Sequence, residues 1–144
     1  MAKRCSDSCP AKCSKCKKKA DIVFSFAVRL LNPRCQVCGA GGTHHKVTGG
    51  FIDGLHCHHL IGRGRIRYRF DLDNGMTLCP SHHKFNTSCS PHHDGPSSVG
   101  FHKWLESHER WLWFEDNRED HTRVNLCYWD EFKRLDAIVK ELKQ

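Results

Sequence analysis

Two short knuckles constrain this chain more than anything else in it. Cys35-x2-Cys38 and Cys79-x2-His82 each place two metal-ligating side chains two residues apart, and forty residues separate them. Together they offer three thiolates and one imidazole, a standard tetrahedral set for structural Zn²⁺. One ion held by both knuckles forces the chain between them to leave and come back. A lone Cys-x-x-Cys is a weak signal, because buried cysteine is also a common small hydrophobe. Two knuckles, each beside a turn, make a much stronger one, and Gly39 suits the tight turn that the first one needs. The zinc would clamp the start of a hairpin to the start of a helix and fix whatever lies between.

What lies between is rich in histidine. LHCHHLIGRGRIRYRFDLDNGMTLCPSHH, residues 55–83, contains five of the twelve histidines, with pairs at His58-His59 and His82-His83 and Asn74 between the pairs. A packed core does not need neighbouring imidazoles; a metal site or a proton transfer does. LHCHHLI at 55–61 reads as a strand. Alternation puts Leu55, Cys57 and His59 on one face and His56 and His58 on the other, so His58 and His59 cannot easily share one job. Arg63, Arg65, Arg67 and Arg69 follow at period two. An extended segment would present all four to one surface, as a row able to follow the phosphates of DNA; a solvated strand face is the plainer alternative. Asp73-Asn74-Gly75 is a turn signal, Met76-Thr77-Leu78 a short strand, and a helix is expected from Pro80 to about Thr87.

Elsewhere the apolar run 21–31 does not resolve strand from helix by period alone, but its length and the Asn32-Pro33 stop favour a short helix, and the six-glycine stretch 39–54 is expected to be a loop or loose hairpin, where His44 and His45 read as a surface pair. Ser98 is positioned to cap a helix in which Phe101, Trp104, Leu105 and Leu112 recur, and a polar connection follows. WDEFKRLDAIVKELK at 129–143 is an amphipathic helix with Phe132, Leu135, Val139 and Leu142 on one stripe. The four tryptophans are expected mostly in the core of the C-terminal helices, and Cys57 and Cys127 as packed thiols.

The 144 residues suit one ordinary domain. We divide them into a basic, Cys-rich arm (1–20), a core (21–105) and a C-terminal helical extension (106–144). The net charge of +7 is uneven: the arm has seven basic residues against one acid, residues 21–100 eight against five, and residues 101–144 eight against ten. A polyanionic partner fits that distribution, nucleic acid first. No run of eighteen apolar residues predicts a membrane span, and the charged N-terminus has no signal-peptide core. A reducing, cytoplasmic setting is therefore expected, with the ten cysteines as thiols or ligands. Cys5, Cys9, Cys13 and Cys16 offer a second zinc site; a mixed site of Cys13 and Cys16 with Cys89 and His92, an iron–sulfur cluster and a flexible arm of reduced thiols stay open.

His58-His59, Asn74 and His83, interleaved with the knuckles, resemble the HNH endonuclease family, and in particular its zinc-bound, phage-type members. Arg29 and Leu30 before Cys35, "CQVCG", "HHLIGR" and "DLDNGMTLCPSHH" carry the resemblance, which covers about residues 21–105. It implies an α+β fold, a small zinc-stapled ββα-metal core with flanking helices. It also implies a metal-dependent DNA endonuclease that hydrolyses phosphodiester bonds to leave 5′-phosphate and 3′-hydroxyl ends. His59 would be the general base, Asn74 would hold the loop that orients it, and His58 and His83 would bind a catalytic divalent ion, Mg²⁺ or another. Cys35, Cys38, Cys79 and His82 would hold structural Zn²⁺. The substrate would be duplex, nicked or branched DNA, in the host cytoplasm if the gene is a phage's, and a homodimer is one route to cutting both strands. The chain departs from the family in its longer loop between Cys38 and His58, in having Thr87 where some members place a third histidine, and in His56, which shares a strand face with His58 and rivals it as a ligand. Two other classes compete: a non-catalytic zinc module that binds nucleic acid through the arm and the arginine row, and a protein-interaction module built on the tryptophan-rich helices.

Overall fold

Cys16, Ala20, Phe24 and Val28 recur every fourth residue and are all buried, which makes one apolar stripe along a single long helix, α1 (Ser14–Leu31). The computed structural model describes residues 10–86, 88–92 and 96–143. The helix begins seven residues earlier than the apolar run that announced it. Lysine is a good helix former, and Cys16 and Ala20 carry the stripe back through the lysine-rich segment, so the boundary expected at residue 20 falls inside α1.

Two strands follow, β1 (His56–His59) and β2 (Gly75–Leu78), paired antiparallel with His59 opposite Gly75 and His56 opposite Leu78. β2 is buried throughout. Met76 and Leu78 pack with Cys35, Phe101 and Leu105 in one core cluster. Gly75 turns towards α1, where an added Cβ would collide with Val28 and Phe24, and Thr77 Oγ1 donates to the Val28 carbonyl. A second cluster joins the α1 stripe to Phe70, Tyr128 and Leu135. The outer edge of β2 is taken by the first knuckle: Gln36 N donates to Thr77 O at 2.9 Å, and its side-chain carbonyl accepts from Thr77 N at 2.9 Å. Residues 39–54 form the loose hairpin expected, with bridges Arg34–Gly41 and Thr43–Asp53. His44 is exposed, whereas His45 accepts from Thr48 N through Nδ1 and is only half-exposed.

The extended arginine row does not form. The chain coils at Ile66–Arg69 into one helical turn, α2, and again at Leu72–Asn74 into a 3₁₀ turn. The reason is burial: Tyr68, Arg69 and Phe70 enter the interior in succession, which an alternating strand with its arginines on one solvent face would not allow. The helix expected after Pro80 is a five-residue turn of π type, Ser81–Phe85. It stops where the Asn86 side chain accepts from the backbone of Ser88 and Cys89; Thr87 lies outside the described residues.

The helix expected to continue to Leu112 is two helices, α3 (Pro96–Leu105) and α4 (Trp111–Asn117). Arg110 turns back to donate to the carbonyls of Leu72, Asp73 and Gly75, and His108 Nδ1 accepts from Arg110 N. These bonds outcompete helical continuation, leave Leu112 exposed and place the first polar residues of the expected connection inside α4. The tryptophans are half-buried rather than core. α5 (Tyr128–Leu142) lies along α1 with Leu135 and Val139 buried and Leu142 at its exposed end. The fold is α+β, a mostly helical body around a two-stranded sheet. Among the described residues no helix is long and apolar enough to cross a membrane, and no cysteine forms a disulfide.

Candidate metal centres

The two knuckles meet. Gly39, at φ +77°, supplies the left-handed turn that lets Cys35 N donate to Ala40 O and Gly39 N to Cys35 O. Cys35, Cys38, Cys79 and His82 converge into one set able to hold a metal ion such as zinc. The spacing fits: Cys38 Sγ–Cys79 Sγ is 3.9 Å, Cys35 Sγ–His82 Nδ1 3.9 Å and Cys79 Sγ–His82 Nδ1 3.3 Å. A tetrahedral Zn²⁺ with ordinary bond lengths sets S–S edges of about 3.8 Å and S–N edges of about 3.6 Å. Burial alone would raise the Cys35 thiol, but hydrogen bonds from the backbone at Cys79, Cys38 and Val37 outweigh it and hold the group below its ordinary value. Burial pushes Cys79 the other way, to about 11; a bound cation would deprotonate it.

The second centre uses both faces of β1. His56 and His58 lie on the side of His83, whereas His59 turns to α1 and stacks on Phe24, ring centroids 4.8 Å apart. The split expected from alternation is present. His58, His83 and His92 converge into a second set able to hold a metal ion. His58 Nδ1 is 3.1 Å from His92 Nε2, within the roughly 3.0–3.4 Å that separates two imidazole nitrogens on one ion. His56 is not a member of this set. Its Nδ1 lies 2.9 Å from His83 Nδ1, one donating to the other. That leaves Nε2 of His83 for a metal and makes His56 an orienting neighbour rather than a rival ligand.

His92 was not among the metal ligands expected at this centre. The signal was Cys89-x2-His92, grouped above with Cys13 and Cys16. Those residues are not brought together: Cys16 lies in the α1 core, Cys89 borders the other cluster, and His92 faces His58. Cys5 and Cys9 lie outside the described residues. Cys57 is packed as expected, its thiol pushed up to about 12 by burial, and half-buried Cys127 sits at the N-cap of α5.

Burial lowers the imidazoles of His56, His58, His59, His83 and His92, which favours their neutral form. Burial, then the neighbouring histidines, drives His58 well below its ordinary value. His83 falls to about 4, through burial and then His92, His56 and Lys84. Burial lowers His59 too, with Arg63 and Arg69 adding to it against the opposing Arg69 carbonyl. Neutral imidazole is the form that binds a metal or accepts a proton.

Asn74 is fully buried and holds the loop together. Its Oδ1 accepts from Ile61 N at 2.6 Å, and its Nδ2 donates to Ile61 O at 2.9 Å and Tyr68 O at 3.0 Å. The loop so closed delivers the Arg69 carbonyl to His59 Nε2, 2.9 Å away. The Arg69 guanidinium is itself buried in a two-bond pair with Asp21, at 2.7 and 2.8 Å, and donates to Arg63 O. Of the four arginines, Arg69 is therefore structural, Arg65 is bonded to the carbonyls of Arg118 and Asp120, and Arg67 is paired to Asp120 at 3.4 Å. Arg63 alone of the four lines the histidine cavity, a space of about 670 Å³ in which Asp21, Cys57, His58, His59, His83 and Lys84 are further wall residues. No family model, curated protein or solved structure matches this chain.

Proposed function

We propose that the chain is a metal-dependent DNA endonuclease of the HNH type, with residues 55–85 as its ββα-metal element. One observation carries the reading. Adjacent residues of one strand take opposite roles around one cavity: His58 joins two other imidazoles, while His59 is tethered through Nε2 to a backbone carbonyl, which leaves Nδ1 as the free lone pair. A binding module has no use for that division.

In this reading Cys35, Cys38, Cys79 and His82 hold a structural Zn²⁺ that fixes β2 and the turn bearing His83. His58, His83 and His92 would hold the working divalent ion, which when bound stabilises negative charge on the phosphate and on the departing 3′ oxygen. Three neutral imidazoles suit a first-row transition ion such as Mn²⁺ better than Mg²⁺, which prefers oxygen donors. His59 accepts a proton from a water molecule at Nδ1 as the water oxygen attacks phosphorus and the P–O3′ bond breaks; the departing O3′ takes a proton from solvent water and His59 returns its own to solvent, leaving 5′-phosphate and 3′-hydroxyl ends. Arg63 and Lys84, both exposed on the cavity wall, bind the flanking phosphates.

A plasmid-nicking assay with Mn²⁺ or Mg²⁺ tests this, comparing wild type with His59→Ala, both folded and zinc-loaded. The wild type should nick, and the variant should bind DNA but cut at least 100-fold more slowly, the scale of a lost general base. If wild type binds supercoiled, linear and branched DNA and cuts none of them, the non-catalytic zinc module is the better reading.

A further inference from the structure

The loop that carries the Arg69 carbonyl has a second side. Gly62 and Arg63 line the histidine cavity, while the next four residues, 64–67, line a separate cavity of about 510 Å³ closed by residues 120–125 and Lys12. Its side-chain charges are Lys12, Arg65, Arg67 and Arg123 against one carboxylate, Asp120. That carboxylate is already engaged: it accepts from the Tyr68 hydroxyl at 2.6 Å and from Thr122 N at 2.9 Å, and it pairs with Arg67. Arg65 is held in place by the carbonyls of Arg118 and Asp120, which fix its guanidinium without cancelling its charge. Lys12 and Arg123 are exposed and have no ion-pair partner among the described residues.

Fixed positive charge around a concave space concentrates anions, and planar guanidinium forks match the oxygens of phosphate. The location adds to this. From Arg63 to Arg67 the chain reaches at most about 14 Å, and the phosphates of one duplex strand advance about 3.4 Å per nucleotide along the axis.

We propose that the cavity between segments 64–67 and 120–125 is a phosphate subsite that holds the nucleic-acid backbone within about four nucleotides of the bond cut in the histidine cavity. The subsite rests on the reading of that cavity as a place where a nucleic-acid strand lies. It gives the C-terminal extension a task in substrate binding, and it assigns strand tracking to Arg65 and Arg67 of the row together with Lys12 and Arg123 from outside it.

The test is fluorescence anisotropy of a labelled duplex oligonucleotide over a salt series, with the zinc-loaded full chain, comparing wild type with the double variant Lys12→Gln/Arg123→Gln; neither residue touches the histidine cavity. Each lost phosphate contact removes about 0.9 from the slope of log affinity against log salt. The double variant should therefore lose about two from the slope and bind roughly tenfold or more weakly at low salt. Unchanged affinity and slope in a folded variant overturn the subsite even if cutting is intact. Wild-type binding with the predicted slope difference but no cutting overturns the nuclease reading and leaves the subsite standing. Titration with inorganic pyrophosphate separates the other source: pyrophosphate binding that the double variant loses while its DNA binding stays intact makes this a free-anion site and overturns the proposal.

Discussion

His59 Nε2 donates to the carbonyl oxygen of Arg69 across 2.9 Å, and the guanidinium of the same Arg69 is clamped on Asp21. One residue thus sets the tautomer of the proposed base with its backbone and ties that backbone to α1 with its side chain. Asp21→Asn removes the anion but keeps the shape. The pair is largely buried, at 11% and 23% side-chain exposure, so loss of its charge-assisted bonds should cost about 1.5–3 kcal/mol. The expected result is a lower kcat with DNA affinity retained, and a His59 ¹⁵N spectrum that loses its single Nε2–H tautomer. A spectrum unchanged from wild type together with reduced kcat would place Asp21 elsewhere in the mechanism.

Asn74→Ala leaves Ile61 N, Ile61 O and Tyr68 O without their partner in a site with no water access. A buried unpaired group costs about 1–3 kcal/mol, so a loss of about 2–4 kcal/mol is expected, visible as a fall in Tm of roughly 10 °C for a domain of this size. Asn74→Asp should do no better, because a carboxylate cannot donate to the two carbonyls. Differential scanning calorimetry of the zinc-loaded proteins checks both.

Much of this arrangement was legible beforehand, and the parts that were not have a common cause. The knuckles, the split of His58 from His59 and the stripe of α5 follow from spacing, because ligand pairs, strand alternation and helix period are local properties. His92 was not placed, because residues 88–92 carry no periodicity that says where a loop returns. The arginine row failed for a related reason. Period two is compatible with a strand, but Arg69 is drawn inward to Asp21, forty-eight positions away, so that Tyr68, Arg69 and Phe70 are buried in succession. The break between α3 and α4 likewise depends on Arg110 reaching carbonyls thirty-five or more positions back.

Gly75 lies opposite His59 in the sheet and directly beneath α1. Gly75→Ala should cost about 1–3 kcal/mol by overpacking, because the new methyl meets Val28 and Phe24 on a rigid helix. Removing the obstacle tests the cause: Gly75→Ala/Val28→Ala should be more stable than the sum of the two single changes predicts. Strict additivity in urea melts would mean that the methyl is accommodated elsewhere.

The zinc reading makes a stoichiometric prediction. Cys79→Ser and Cys38→Ser should each lose one equivalent of zinc by elemental analysis. Because such an ion contributes folding free energy directly, both variants should melt earlier, and chelation of the wild type should reproduce their melting. His92→Ala should keep that equivalent and lose only the weaker, exchangeable ion. A variant pair in which the serines retain full zinc would mean that the knuckles are held together by packing alone.

Stability should also fall in mild acid, through His108. Burial lowers this imidazole from its ordinary value, and its Nδ1 accepts from Arg110 N at 3.1 Å, a bond that protonation of Nδ1 would break. In the unfolded chain the same group takes up a proton near pH 6.5. Between the lowered folded value and that ordinary one, the unfolded state binds more protons. The contribution of neutral His108 is therefore complete above about pH 6.5 and is lost as the pH falls towards the folded value. His108→Gln retains a side-chain acceptor but does not titrate. Chemical denaturation from pH 7.5 to 5 should show wild type losing stability faster than the variant, the two curves converging in acid. Parallel curves would mean that Arg110 turns back on β2 without help from His108.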